Sequence, residues 1–299
     1  MSTPRFLALP RCASAVRLST ARGTFAALRG EPAGAPRGTA LLVPGFTGSK
    51  EDFIALLEPL AQAGFRVVAV DQRGQYESTA PTDPAAYALP ELGRDLLAVS
   101  ELLLAEGDGG PLHLLGHSFG GFVVREAVLA RSTALPAQAL PWASLTLLST
   151  GPGPIDPTEA ARTKMLMDAL GGLDLETIWQ LMQQMDEGSR DPADVPAPEI
   201  ADFLHRRWLA NDPQALLAMG DRLLGEPDRT DLLAALDTLP KLAVSGVRDY
   251  AWPVEEQART AERLGARHVV VAGAGHSPNA ERPLETAAAL ADFWSTVRP

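Results

Sequence analysis

Ser118 stands between glycines and beside a histidine in the stretch "HLLGHSFGGFVVREAV" (113–128), with an apolar run on either side. A serine hydroxyl attacks a carbon centre only when a neighbouring base takes its proton. Without such a base, Gly116-x-Ser118-x-Gly120 describes only a tight turn, a pattern that arises by chance in roughly one chain in ten of this length. The bases on offer are His113, His117, His205, His268 and His276. A carboxylate must then hold the imidazole in the right tautomer, and Asp249 and Asp156 each stand in a loop after a short apolar run. Together these residue types could perform nucleophilic attack with proton transfer, provided that the surrounding elements bring them to one place.

The elements have a clear order. Two short strands, at about 14–19 and 24–29, flank a turn at Arg22 and Gly23 and are expected to pair as an antiparallel hairpin. After the loop "PAGAPRG", apolar runs at 39–44, 65–70, 112–116 and 143–149 read as strands, and helices at about 51–63, 90–105 and 119–131 follow the first three. Continuous apolar strands alternating with helices indicate a parallel sheet covered on both faces. From Gly151 the theme stops. Residues 158–226 offer no convincing strand but several helical stretches, near 158–170, 175–186, 198–210 and 213–224. Strands at 240–246 and 266–273, with helices at about 254–264 and 283–297, then resume the pattern. An all-helical insertion therefore interrupts a doubly wound, mostly parallel sheet, an α/β fold.

Composition narrows the partners. The 26 Lys and Arg against 37 Asp and Glu give a net charge of -11, so long-range attraction for nucleic acid or anionic lipid is absent and a small neutral or apolar ligand is expected. Cys12, the single cysteine, lies far from the glycine-rich motifs, which excludes an internal disulfide and a cysteine-based metal cluster. A reducing cytoplasm is compatible with that, and the expected location is cytoplasmic. The apolar stretch Phe6–Leu9 is too short for a secretory leader and is followed by Pro10 and Arg11. No run approaches the ~18 apolar residues of a membrane span. "GEPAGAPRG" reads as a loop between strands rather than a phosphate cradle, so neither a cofactor nor a metal is expected.

Strand, Gly-x-Ser-x-Gly, helix resembles the nucleophile elbow of the α/β-hydrolase superfamily, and the resemblance extends over nearly the whole chain. Four stretches carry it, in the family's order: "VPGFTGS", "DQRGQYES", "GHSFGG", and the late pair "GVRDYAWP" with "GAGHSPNAERP". It implies a serine esterase-like fold with a core at 1–151 and 231–299 and a helical cap at 152–230. It further implies Ser118 as nucleophile, His276 as base and Asp249 as orienting acid, with Asp156 as the rival acid position that some members use. The implied oxyanion hole consists of the backbone N–H groups of Phe119 and Phe46. Here the chain departs from its relatives, which usually carry His-Gly where it has Pro44-Gly45, so the loop's usual side-chain anchor is missing. In "VDQRGQYES" the resemblance implies that Asp71 and Arg73 anchor the loop by an ion pair, while Tyr76 replaces a second glycine and could narrow the site entrance or cover the sheet edge. Ser49, with Asp52 three residues on, reads as a helix N-cap.

The implied activity is hydrolysis of a carboxylic ester or related acyl bond of a small, largely apolar substrate through an acyl-serine. The same machinery could cleave a C–C bond, hydrolyse a thioester, transfer an acyl group to an acceptor other than water, or support the perhydrolysis of cofactor-free haloperoxidases. A non-catalytic ligand-binding role on the same fold is the reading from another class. Relatives that open epoxides use an aspartate at the elbow, which Ser118 disfavours. The expected acyl pocket includes Trp179, Met182 and Trp208 of the insertion, with Met165, Met167, Met185 and Met219 nearby; packing of the insertion onto the core explains the same residues equally well.

Overall fold

In the run Thr39–Val43, Leu41 and Val43 belong to one buried cluster and Ala40 and Leu42 to another on the opposite face, the period-two alternation of a strand covered on both sides. Val67 and Ala69 alternate with Val68 and Val70 in the same way. A computed structural model describes residues 2–107, 110–133, 140–186 and 195–297; parts of the expected core and cap ranges (1, 108–109, 134–139, 187–194 and 298–299) lie outside it.

Among the described residues eight strands form one sheet: β1 (Ala13–Thr20), β2 (Gly23–Gly30), β3 (Thr39–Val43), β4 (Arg66–Val70), β5 (Leu112–His117), β6 (Ser144–Leu148), β7 (Lys241–Gly246) and β8 (Arg267–Val271), in the order β1-β2-β4-β3-β5-β6-β7-β8. β1 and β2 form the expected antiparallel hairpin, with Thr20 opposite Gly23, and β2 runs antiparallel to β4. All later pairings are parallel. The protein thus has the doubly wound, mostly parallel sheet that the alternation of strands and helices predicts. Strand order reverses at β3, whose neighbours are β4 and β5, and the crevice at the carboxyl ends of the strands beside such a switch is where open α/β sheets place their ligands.

Helices cover both faces. α1 (Ile54–Gln62), preceded by a 3₁₀ turn at Lys50–Phe53, lies on one face. α2 (Leu89–Ala105) and α3 (Phe119–Ser132) pack together on the other. Between β6 and β7 come α4 (Pro157–Leu170), α5 (Leu175–Asp186), α6 (Pro198–Leu209), α7 (Pro213–Gly225) and α8 (Thr230–Ala234). Asp156 and Asp212 cap α4 and α7 by accepting from the N–H groups of Thr158 and Gln214, each directly before a proline at the first helical position, where a missing N–H costs nothing. α4, α5, α6 and α7 share a small cluster around Leu170, Ile178, Trp208 and Leu216, whereas the short α8, which the sequence pattern does not reveal, packs on α3 instead. α9 (Val254–Arg263), α10 (Pro278–Glu281) and α11 (Pro283–Thr296) complete the chain.

A buried ion pair ties the insertion to the sheet: Arg207 of α6 donates to Asp52 at 2.6 Å with both side chains fully buried, and to the carbonyl of Ser2 at 2.9 Å.

Candidate active site

Ser118 follows the fully buried β5 and precedes α3 at φ 54°, ψ -123°, a backbone region that costs a non-glycine residue about 1–3 kcal/mol. Its N–H donates to the carbonyl of Leu148 on β6 at 2.9 Å, which holds the strained turn in the sheet. The glycines around it have no room for a side chain. A Cβ on Gly116 would lie 2.3 Å from the carbonyl oxygen of Gly120, and one on Gly120 would lie 2.4 Å from that of Val43. The turn can therefore be this sharp only with this spacing.

His276, in the loop between β8 and α10, comes to the same sheet edge. The Ser118 hydroxyl donates to its Nε2 at 3.0 Å, and its Nδ1–H donates to Oδ1 of Asp249 at 2.8 Å. Asp249 stands after β7 and is itself held: Oδ1 also accepts from the N–H groups of Ala251 (2.8 Å) and Trp252 (3.2 Å), and Oδ2 accepts from Nε2 of Gln257 on α9 (2.9 Å). Burial raises this carboxyl, but the His276 hydrogen bond and charge, together with the two backbone donors, outweigh it and hold Asp249 below the ordinary carboxylate range. Such an array can take a proton from the serine and stabilise the imidazolium that results. Asp156 is elsewhere, capping α4.

The other histidines are occupied differently. His113 bonds Ser144 and stacks on Trp294, His268 bonds Ser245, and His205 pairs with Glu176 on the inserted helices. His117 is nearer the chemistry: burial above all, with the charge of His276 second, pushes its imidazole down to about 3, so it is neutral, and its Nε2–H donates to the carbonyl of His276 at 2.9 Å. Glu281 accepts from the N–H groups of Gly275 (2.5 Å) and Ser277 (2.8 Å), one on each side of His276. Gln257 left no signal in the sequence, and Glu281 stands inside the stretch "GAGHSPNAERP" without any mark of this role.

The loop after β3 lies against the serine: a Cβ on Gly45 would be 2.9 Å from Cβ of Ser118 and 3.3 Å from its Oγ. The loop closes by a turn in which the carbonyl of Gly45 accepts from the N–H of Gly48 at 3.1 Å, with Thr47 at φ 58°. Phe46 is the second residue of that turn, and Phe119 opens α3, whose first N–H groups have no acceptor within the helix. Pro44 does not leave the loop loose. Nε2 of Gln72 donates to the carbonyl of Pro44 and Nε2 of Gln75 to that of Gly45, both at 2.8 Å.

The "VDQRGQYES" loop is anchored by ion pairs, but not by one pair between Asp71 and Arg73. Asp71 holds Lys50 at 3.0 Å, while Arg73 grips Asp95 on α2. Tyr76 stands at a positive φ of 38°, in the region that favours glycine. Its ring covers the ammonium of Lys50 and meets Phe203 of α6 edge-on, so it joins the sheet edge to the insertion. Ser49 precedes the 3₁₀ turn, and its N–H donates to Asp52 at 3.3 Å.

Ser118, His276, Phe46 and Gly45 border a cavity of about 770 Å³, within the range of small-molecule sites. The far wall comes from the insertion, including Trp179, Met182 and Trp208 as expected, together with Met165 and Met185. Met167 instead packs against Gly220, and Met219 is fully buried beside Gln75. Trp208 is only 1% exposed, and its indole N–H is committed to the carbonyl of Leu175. Trp179 is half-buried, stacked on His205. Glu159 and Arg162 on α4 are the charged exception in a largely apolar lining, with Asp52 at the floor already paired to Arg207. Among the described residues no group of histidines, cysteines and carboxylates could hold a metal ion, and no helix is long and apolar enough to cross a membrane.

A model of the alpha/beta hydrolase family matches residues 40–289, a span that contains every residue of the array from Gly45 to His276. Among known proteins, Epoxide hydrolase A of Mycobacterium tuberculosis is 27% identical over 311 aligned positions, covering 88% of this chain and 91% of that protein. A thermophilic esterase from Thermogutta terrifontis superposes with a TM-score of 0.70 at 24% identity, over 96% of this chain and 100% of its own. The enol-lactonase from Burkholderia xenovorans LB400 does so with a TM-score of 0.70 at 17% identity, over 94% and 100%.

Proposed function

The chain belongs to the alpha/beta hydrolase family, and from that premise we propose that it is a serine hydrolase cleaving a carboxylic ester, or a related acyl bond, of a small and largely apolar molecule. The observation that carries the proposal is the array of Ser118, His276 and Asp249, joined at 3.0 and 2.8 Å on the border of the 770 Å³ cavity. The inserted helices α4 to α7 serve as its cap.

In the first half-reaction Oγ of Ser118 bonds to the acyl carbon as its proton passes to Nε2 of His276, and the carbonyl electron pair moves onto oxygen. The N–H groups of Phe119 and Phe46 hold that oxyanion. The intermediate collapses, the C–O bond to the leaving group breaks, and His276 returns the proton to the departing alkoxide. Water then attacks the acyl-serine with His276 again as base, releasing the acid and restoring the Ser118 hydroxyl. Asp249 keeps the imidazole oriented and offsets its positive charge in both halves.

Several similar proteins bear the name epoxide hydrolase, which raises a second reading. Attack on an epoxide by Ser118 would leave an ether at Oγ, and an ether has no carbonyl for water to attack, so no turnover follows. An acyl carbon gives an ester, which does turn over. The test is a fluorophosphonate probe with a series of p-nitrophenyl esters. Ser118 is expected to be labelled and ester hydrolysis abolished, and Ser118→Ala to be inert in both assays. Hydrolysis undiminished in Ser118→Ala would overturn the proposal.

A further inference from the structure

We propose that Gln75 is a positioning residue for the oxyanion hole, setting the orientation of the Gly45–Phe46 peptide and thereby aiming the Phe46 N–H at the reacting carbonyl. This rests on the serine hydrolase reading above and names a residue which that reading does not require.

The argument begins with the peptide unit. In a trans peptide the C=O of one residue and the N–H of the next point in opposite directions, so fixing one fixes the other. The C=O of Gly45 is gripped by two donors, Nε2 of Gln75 at 2.8 Å and the N–H of Gly48 at 3.1 Å. The partner half of that same unit is the N–H of Phe46. Phe46 borders the cavity with Ser118, and Gly45 lies against the serine side chain.

Gln75 is built for this single orientation. It is 1% exposed, and both ends of its amide are committed: Oε1 accepts from the N–H of Gln72 at 3.2 Å, so Nε2 must face Gly45, and Nε2 also lies 3.8 Å from Sδ of Met219. Gln72 supports the same loop one residue earlier through the carbonyl of Pro44. The turn needs such a grip because Thr47, a β-branched residue, is held at φ 58°, a conformation it leaves readily when unsupported. Without the Gln75 donor only the longer bond from the Gly48 N–H holds the Gly45 carbonyl, and the peptide turns its N–H partly away from the developing charge.

Two variants test this, with the unmodified protein as control. Gln75→Met keeps the length of the side chain but removes the donor. It is expected to lower kcat on p-nitrophenyl butyrate by roughly 10- to 100-fold, somewhat less than outright loss of an oxyanion donor, with KM changed by less than about twofold. Inhibition by an alkyl boronic acid, which imitates the tetrahedral adduct, should weaken by the same factor as kcat. Gln75→Glu keeps the shape and the Oε1 acceptor and turns a carboxylate oxygen toward the Gly45 carbonyl. Its activity relative to the unmodified protein should rise as pH falls, because a protonated carboxyl can donate where a carboxylate cannot. Unchanged kcat, a loss carried by KM alone, or unchanged boronate affinity in folded Gln75→Met overturns the inference, as does a relative activity of Gln75→Glu that does not change with pH. Absence of fluorophosphonate labelling and of ester hydrolysis in the unmodified protein would instead overturn the serine hydrolase reading itself.

Discussion

At the scale of single residues, reactivity is set by which groups can change charge. His117 stays neutral because burial pushes it down to about 3, and Asp249 stays ionised because its donors hold it below the ordinary carboxylate range. His276 must be neutral to accept the Ser118 proton. We therefore expect kcat/KM to rise with pH along a single-proton limb and then level off. A limb with two-proton steepness, measured with a fast p-nitrophenyl ester, would contradict this. Asp249→Asn should leave the fold intact and lower kcat by roughly 10³–10⁴, whereas Asp156→Asn should leave kcat within about twofold. The motif residues were legible because the chemistry demands their types at the ends of particular strands. The roles of Gln72, Gln75 and Glu281 were not, although all three stand inside the motif stretches, because each acts on backbone groups that carry no side-chain signature, and Gln257 lies outside those stretches altogether.

At the scale of elements, the sequence shows helices where capping and periodicity agree. Asp156-Pro157 and Asp212-Pro213 mark the starts of α4 and α7 directly, since an Asp side chain accepts the free N–H groups and Pro has no N–H to lose. The five residues of α8 are too few for a periodic pattern, and nothing in Asp71 or Arg73 reveals that they pair with Lys50 and Asp95 rather than with each other. The two tryptophans of the insertion, indistinguishable in sequence, now separate. Trp208 is sealed in the cluster shared by α4 to α7, so Trp208→Ala should destabilise the protein by about 3–5 kcal/mol in urea unfolding. Trp179 is half-exposed on the cavity wall beside Met182. Lengthening the acyl chain of a p-nitrophenyl ester from acetate should raise kcat/KM by up to roughly tenfold for each buried two-carbon unit. Trp179→Ala should flatten that trend while acetate is still cleaved. Acetate as the best substrate of the unmodified protein would mean that the apolar wall does not hold the acyl chain.

At the scale of the whole molecule, the alternation of strands and helices was readable but the strand order was not, because β4 pairs with both β2 and β3 through long-range registers that no local pattern encodes. The packed sheet also sets how stability responds to acid. His113 is fully buried on β5, stacked on Trp294 with Phe65 edge-on, and burial pushes it down to about 4; His117 lies at about 3. Both folded values lie below the unfolded one near 6.5, so each histidine stabilises the fold fully above that pH. That contribution is lost as pH falls, because the unfolded chain takes up a proton that the folded chain refuses. Buried Asp52 and Asp71 act in the opposite sense, since burial raises both above the ordinary carboxylate range despite their cationic partners, and the folded state then binds protons that the unfolded state does not. The net slope of stability against pH therefore mixes both signs, and a difference between variants isolates one term. His113→Phe keeps a ring against Trp294 and Phe65, removes the titration and leaves the Ser144 hydroxyl without its partner, a cost that does not depend on pH. Between about pH 6 and 4.5 the stability of His113→Phe relative to the unmodified protein should improve by ~1.4 kcal/mol for each unit that the pH falls, one proton's worth. Urea unfolding at a series of pH values measures it, and a difference that stays constant across the window would show that His113 takes up its proton in the folded state.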